Sequence, residues 1–132
     1  MGGRKICLWR WKDGRIMKGN IVRNEERFVM RYNSVLDLHT HTVASGHAYC
    51  SLREMAKAAS EKGLEVLGIT EHAPSMPGTC HKFYFNNLKV VPREMYGIQL
   101  LLGSEVNILD AQGTVDLGQH TLSSMDVVIA SL

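Results

Sequence analysis

Runs of apolar residues, each ending in a polar cluster, divide most of this chain into strands with helices between them. Ser34-Val-Leu-Asp-Leu-His-Thr40 mixes β-branched and aliphatic residues over a strand's length and turns polar at His39. After a loop from His41 to Cys50, Ser51-Leu-Arg-Glu54 has the capping-box pattern that opens a helix. Leu52, Met55, Ala56 and Ala59 give that helix an apolar stripe, and Lys62 and Gly63 close it. Val66-Leu-Gly-Ile-Thr70 is almost wholly apolar, as suits a parallel strand covered on both faces, and it runs into Glu71-His72. Pro92 is expected to open a brief helix ended by Gly97, and Ile98 to Leu102 a third strand continuing to Glu105. Asp110-Ala-Gln-Gly113 reads as a hairpin turn, Thr121 to Met125 as a short helix, and Asp126 to Ala130 as a fourth strand. The alternation predicts an α/β fold with a mainly parallel sheet, in which ligands gather at the C-terminal strand ends.

The first thirty residues break this pattern. Trp9-Arg-Trp-Lys-Asp-Gly-Arg-Ile16 keeps no steady period, so no buried face is expected there. Residues 1–31 hold nine Lys or Arg against three acids, whereas the other 101 hold six against ten. The chain is therefore expected to divide into a basic extension, 1–29, and a domain, 30–132, with Met30 a sensible start. Trp9 and Trp11, interleaved with Arg10 and Lys12, would suit stacking on nucleic-acid bases. No surrounding fold supports them, so nucleic acid is not an expected partner. No apolar run approaches the roughly 18 residues of a membrane span, and a cytoplasmic protein is expected. Cys7, Cys50 and Cys80 form no CxxC pair and read as reduced thiols.

Four of the six histidines fall between His39 and His72. In an extended segment residues i and i+2 project to one side, so the rings of His39 and His41 can reach one ion. Asp37 shares their parity and is placed to accept a ring N–H. His47 follows in the loop, His72 ends the second strand, and Glu105 ends the third. Four imidazoles and a carboxylate, set by separate strands at one end of a sheet, fit a metal site better than a core.

The chain Asp37-Leu-His-Thr-His-Thr-Val-Ala-Ser-Gly-His47, with Gly68-Ile-Thr-Glu-His72 and Gly103-Ser-Glu-Val-Asn107, resembles the PHP (polymerase and histidinol phosphatase) family. The likeness runs from about Met30 to Leu132 and is closest to the small stand-alone bacterial phosphatases of the YcdX type. It implies the first three to four βα units of a distorted (β/α)7 barrel, whose trinuclear centre of zinc, manganese or iron hydrolyses phosphate esters. It further implies that His39 and His41 bind one metal, that Glu105 bridges to a second, and that His47 and His72 hold the third. Glu71 stands where the family often has Asp and is implied to support the site. His81 is a candidate phosphate contact or general acid, Lys89 and Arg93 are weaker phosphate contacts, and Cys80-His81 a weaker zinc pair.

Two family ligand positions, a further His and a late Asp-x-His, have no counterpart here, so fewer than three ions are expected. The sequence-level expectation is a truncated phosphoesterase acting on small phosphorylated substrates. The alternative is a non-catalytic metal-binding remnant, or one part of a split or assembled protein. In either case a complementary chain or homo-oligomer would cover the open barrel edges.

Overall fold

The computed structural model describes the backbone at residues 7–12, 15–24 and 27–132 and side chains from Asn33 onward. The side chains of Cys7, Trp9 and Trp11 therefore lie outside the described residues. Strands β1 (Cys7–Lys12), β2 (Arg15–Asn24) and β3 (Arg27–Ser34) form an antiparallel meander in that order. Periodicity alone predicted no element here. The signal it passes over is the Asp13-Gly14 pair between the first two strands, a dipeptide favoured in two-residue hairpins. β3 continues through Met30, which pairs with Ile21.

The second sheet carries the parallel architecture expected of an incomplete PHP-type barrel. β4 (Leu36–Asp37), β5 (Val66–His72), β7 (Ile98–Asn107) and β8 (Val127–Ser131) lie side by side in that order, all parallel, in a curled half-barrel. β6 (Glu94–Met95) pairs antiparallel with the start of β7, below β8 on the same edge. The expected helix from Pro92 to Gly97 is not there. Tyr96 and Gly97 have φ of 52° and 77°, and two successive positive φ values turn the chain back as a tight hairpin.

Helix α1 (Leu52–Glu61) forms as its sequence dictates. The Ser51 hydroxyl accepts the Glu54 N–H, the Glu54 carboxylate accepts the Ser51 N–H, and Gly63 leaves the helix at φ 76°. Ala56 and Ala59 are buried against the core of Leu67, Ile69, Leu100, Leu102 and Phe85. Helix α2 (Lys82–Asn87), which the sequence left unassigned, begins where His81 caps the Phe83 N–H, and its Phe85 enters the same core. Asp110 to Gly113 makes the expected turn, closed by Leu109 N–H to Thr114 O and an Ile108–Val115 bridge. The short helix after it, α3, spans Gln119–Leu122, slightly earlier than predicted, because extended Gly118 caps it and its carbonyl accepts the Thr121 and Leu122 N–H groups.

Two glycines let the sheet curl. A Cβ on Gly68 would stand 2.7 Å from Leu38 Cα, and one on Gly103 only 1.7 Å from the Val127 carbonyl oxygen. The chain after β4 and the start of β8 can approach their neighbours only because these positions lack side chains.

Candidate metal centre

β4 is only two residues long, yet the chain beyond it stays beside β5. The Thr40 hydroxyl donates to Gly68 O at 2.6 Å and the Thr70 N–H to Thr40 O at 2.9 Å. This stitching holds His39-Thr-His41 extended, so both rings reach across the C-terminal edge of the sheet. His72 at the end of β5 is the register partner of Glu105 on β7. Three ring nitrogens converge on one carboxylate oxygen: His39 Nε2, His72 Nδ1 and His41 Nε2 lie 3.0, 3.1 and 3.3 Å from Glu105 Oε2. The His41 ring stacks on His72 at 4.3 Å between centroids, and His47 tilts against both.

The donor atoms form two overlapping triads, His39–His41–Glu105 and His41–His47–His72, each with all its atoms within 4.8 Å of one another. The electrostatics suit a cation. Burial and the neighbouring His72 hold the His41 imidazole below its ordinary pKa, against an opposing pull from Glu105, which favours the neutral ring that metals bind. Burial alone would raise the Glu105 carboxyl. The hydrogen bond with His39 and the nearby rings instead hold it below the usual range. Neutral imidazoles packed around a carboxylate are the donor set of zinc, iron and manganese sites, and the residues present fit such an ion.

Glu71, for which the resemblance implied a supporting role, bonds to Thr42 and Ser45 in the loop between His41 and His47. It is fully buried on β5 beneath the imidazoles. Its carboxylate accepts the Thr42 N–H at 3.1–3.2 Å, the Thr42 hydroxyl at 2.5 Å, the Ser45 hydroxyl in a short bond, and Tyr84 Oη at 3.5 Å. Burial and Glu71 push the Cys80 thiol up to about 12, and the same two causes raise the Tyr84 phenol. Thr42, Ser45 and Tyr84 were missed by sequence reasoning. Only the alternation His-Thr-His-Thr42 carries a signal, since it puts a hydroxyl on the face opposite the rings.

Other expected residues lie elsewhere. Asp37 touches His39, but accepts its main-chain N–H at 3.3 Å rather than a ring N–H. His81 is exposed and joins neither triad; its Nδ1 accepts the Phe83 N–H. Cys80 is buried and donates to Ala44 O, so Cys80 and His81 do not make a pair. Arg93 is engaged elsewhere: it pairs with Asp126 at 2.7 Å and donates to the Leu88 and Val91 carbonyls. Lys89 lines a separate surface hollow with His120.

Comparison with known proteins agrees with this layout. The PHP-domain family model matches residues 37–131. A probable phosphatase of Clostridium novyi is 57% identical over 103 residues, covering 78% of this chain and 41% of that protein. Probable phosphatases of Caldanaerobacter subterraneus and Clostridium botulinum are 50% and 52% identical over the same span. The chain thus spans about two-fifths of the length of these relatives. A PHP-domain match across most of its length, on a half-barrel that gathers four histidines and a glutamate at one edge, places the chain in the PHP family.

Proposed function

We propose that this chain supplies metal-binding machinery of a phosphoesterase that hydrolyses small phosphomonoesters, in the manner of the small stand-alone bacterial phosphatases. The observation that carries the reading is the convergence of His39, His41 and His72 on Glu105 Oε2. In this reading His39, His41 and Glu105 hold one divalent ion of zinc, manganese or iron. His47 and His72 reach toward another, with His41 shared between them, and residues 30–132 form the PHP portion. Bound ions supply Lewis acidity that acidifies water and neutralises phosphate charge. The chain's own groups present Nε2 and carboxylate lone pairs, while buried Glu71 fixes the loop that carries His41 and His47. Three protein ligands suffice for one ion with an open position, so about one tightly held ion per chain is expected.

The second reading is a non-catalytic metal-binding part that works with a complementary chain or a second copy. What supports it is that the two triads among the described residues share His41, so beyond one complete three-ligand set only His47 and His72 remain for a second ion. Among the described residues no helix is long and apolar enough to cross a membrane, which is compatible with the cytoplasmic location we propose.

Hydrolysis of p-nitrophenyl phosphate separates the readings. The chain is stripped with chelator, then assayed with and without returned zinc or manganese. Metal-restored turnover that disappears in His39→Ala supports a phosphoesterase. Metal uptake with no turnover supports the second reading, and neither uptake nor turnover rejects both.

A further inference from the structure

Ser45 touches every histidine of one triad. It lies in a 3-10 turn, Val43–Ser45, whose side-chain cap is Thr42 and which closes at Gly46 with φ 74°. A Cβ on Gly46 would stand 2.3 Å from Gly78 O, so the turn is packed tightly against the loop behind it. Ser45 is buried, and its hydroxyl oxygen has three neighbours: Glu71 Oε2, the His72 N–H at 3.0 Å and His41 Nδ1 at 3.3 Å. Its carbonyl oxygen lies 3.1 Å from His47 Nδ1.

Counting protons fixes the direction of these bonds. A carboxylate only accepts, so the Ser45 hydroxyl proton points to Glu71. The oxygen's lone pairs are then left to accept, one from the His72 N–H and one from His41 Nδ1. Of the two ring nitrogens of His41, Nδ1 makes the hydrogen bond, with Ser45, so a neutral ring places its proton there and turns a bare Nε2 toward Glu105 at 3.3 Å. A carbonyl oxygen also only accepts, so His47 carries its proton on Nδ1 as well and leaves its own Nε2 bare.

We propose that Ser45, with its hydroxyl hydrogen bond donated to Glu71, is the positioning residue that presets His41 and His47 as Nδ1–H tautomers with Nε2 free to bind metal. The inference deepens the metal-centre reading and rests on it for its purpose, although the tautomers themselves are a property of the metal-free chain. It assigns Glu71 a task beyond filling space: its negative charge decides which way a hydroxyl points, and that hydroxyl decides which ring nitrogen is available. Hydrogen bonds to the far nitrogen of a ligating imidazole typically carry about 10–100-fold in metal affinity.

Glu71→Gln reverses the logic with little change of shape. The main-chain N–H of Thr42 cannot turn away, whereas the Ser45 hydroxyl can rotate. The new amide NH2 therefore settles against Ser45 and donates to it. The Ser45 proton then swings to His41 Nδ1, and the ring proton moves to Nε2, where it blocks the ligand position. Ser45→Ala removes the relay and leaves His41 without a tautomer preference from this side.

The test is long-range 1H–15N correlation on the metal-free full chain, 15N-labelled at histidine, at pH 8, with zinc affinity measured by chelator competition and folding checked by circular dichroism. Expected are an Nδ1–H His41 in the wild type, Nε2–H in Glu71→Gln, a mixture in Ser45→Ala, and about 10–100-fold weaker zinc binding in both variants. An Nε2–H His41 in the wild type, or a tautomer unmoved in the folded Glu71→Gln variant, overturns the inference. If Ser45→Ala does not fold, Glu71→Gln decides alone. Tautomers as expected in a chain that takes up no zinc would leave the positioning inference standing and reject the metal reading instead.

Discussion

Replacing Gly103 by alanine tests how the curled sheet supports the site. The added Cβ would stand 1.7 Å from Val127 O, 2.8 Å from Val127 C and 3.0 Å from Val127 Cγ1. The first approach is roughly 1.5–2 Å short of ordinary van der Waals contact. The obstacle is backbone of the neighbouring strand, so no side chain can swing aside to make room. β8 must withdraw where Gly103 pairs with Val127, at the foot of a ladder that continues to Asn107 and Ser131. A withdrawal of that size breaks a hydrogen bond with an ordinary length of about 2.9 Å. Overpacking costs about 1–3 kcal/mol, and one or two ladder bonds add about 1 kcal/mol each. The sum is about 3–4 kcal/mol, a large share of the roughly 5–15 kcal/mol that stabilises a domain.

In a chain of this size that corresponds to a fall in Tm of about 10–15 °C. Thermal and urea unfolding followed by circular dichroism would measure it at fixed protein concentration. Gly118→Ala is the control, since a Cβ there meets nothing within 4 Å and φ is −73°, and it should cost less than about 1 kcal/mol. A Gly103→Ala chain within about 1 kcal/mol of the wild type would refute the packing argument. Because Glu105 lies two residues along the same strand, the variant should bind metal more weakly as well.

Ser51→Ala removes the cap of α1 and should cost about 1 kcal/mol in urea unfolding, whereas Lys57→Ala, which loses only an exposed pair with Glu61, should change little. The Ser51 hydrogen bonds hold the Glu54 carboxyl below its usual pKa. Their help to α1 is therefore present above the unfolded-state value and fades as pH falls through the folded one, readable as a loss of helicity at acid pH that Ser51→Ala lacks. Asp116 behaves with the same sign. Burial would raise its carboxyl, but bonds from Asn107 and the Ser75 N–H hold it down, so Asp116→Asn should remove part of the acid dependence of stability in a pH series of urea melts. Iodoacetamide at pH 8 should label exposed Cys50 and spare Cys80, whose thiol is buried and pushed up to about 12, as read by peptide mass spectrometry.

Much of this architecture was legible because local signals agreed with one another. The capping box at Ser51 and Glu54 and the apolar stripe on Ala56 and Ala59 specify α1 independently of the rest of the chain. The run Val66 to Thr70 reads as a covered parallel strand because both its faces are buried. The sequence also named the five side chains that the structure brings together, since histidines at strand ends leave a trace that needs no packing information. What it missed depends on tertiary contact. Ser45 looks like any small loop residue until its hydroxyl donates to Glu71, 26 positions away. Pro92 suggested a helix start, but the positive φ at Tyr96 has no signature in a tyrosine, and that turn made the segment a strand. The β1–β3 meander was passed over because ladder hydrogen bonds do not require a steady alternation of apolar residues.

Cobalt titration of the stripped chain tests the proposed metal centre around Glu105 most directly. Cobalt(II) in a histidine and carboxylate site gives visible absorption bands whose strength reports coordination by protein. Saturation is expected at about one ion per chain, with the bands lost in His41→Ala, which removes the ring shared by both triads, and retained in His81→Ala. Bands that are absent from the folded wild-type chain, or that survive His41→Ala unchanged, would contradict a metal centre at this edge of the sheet.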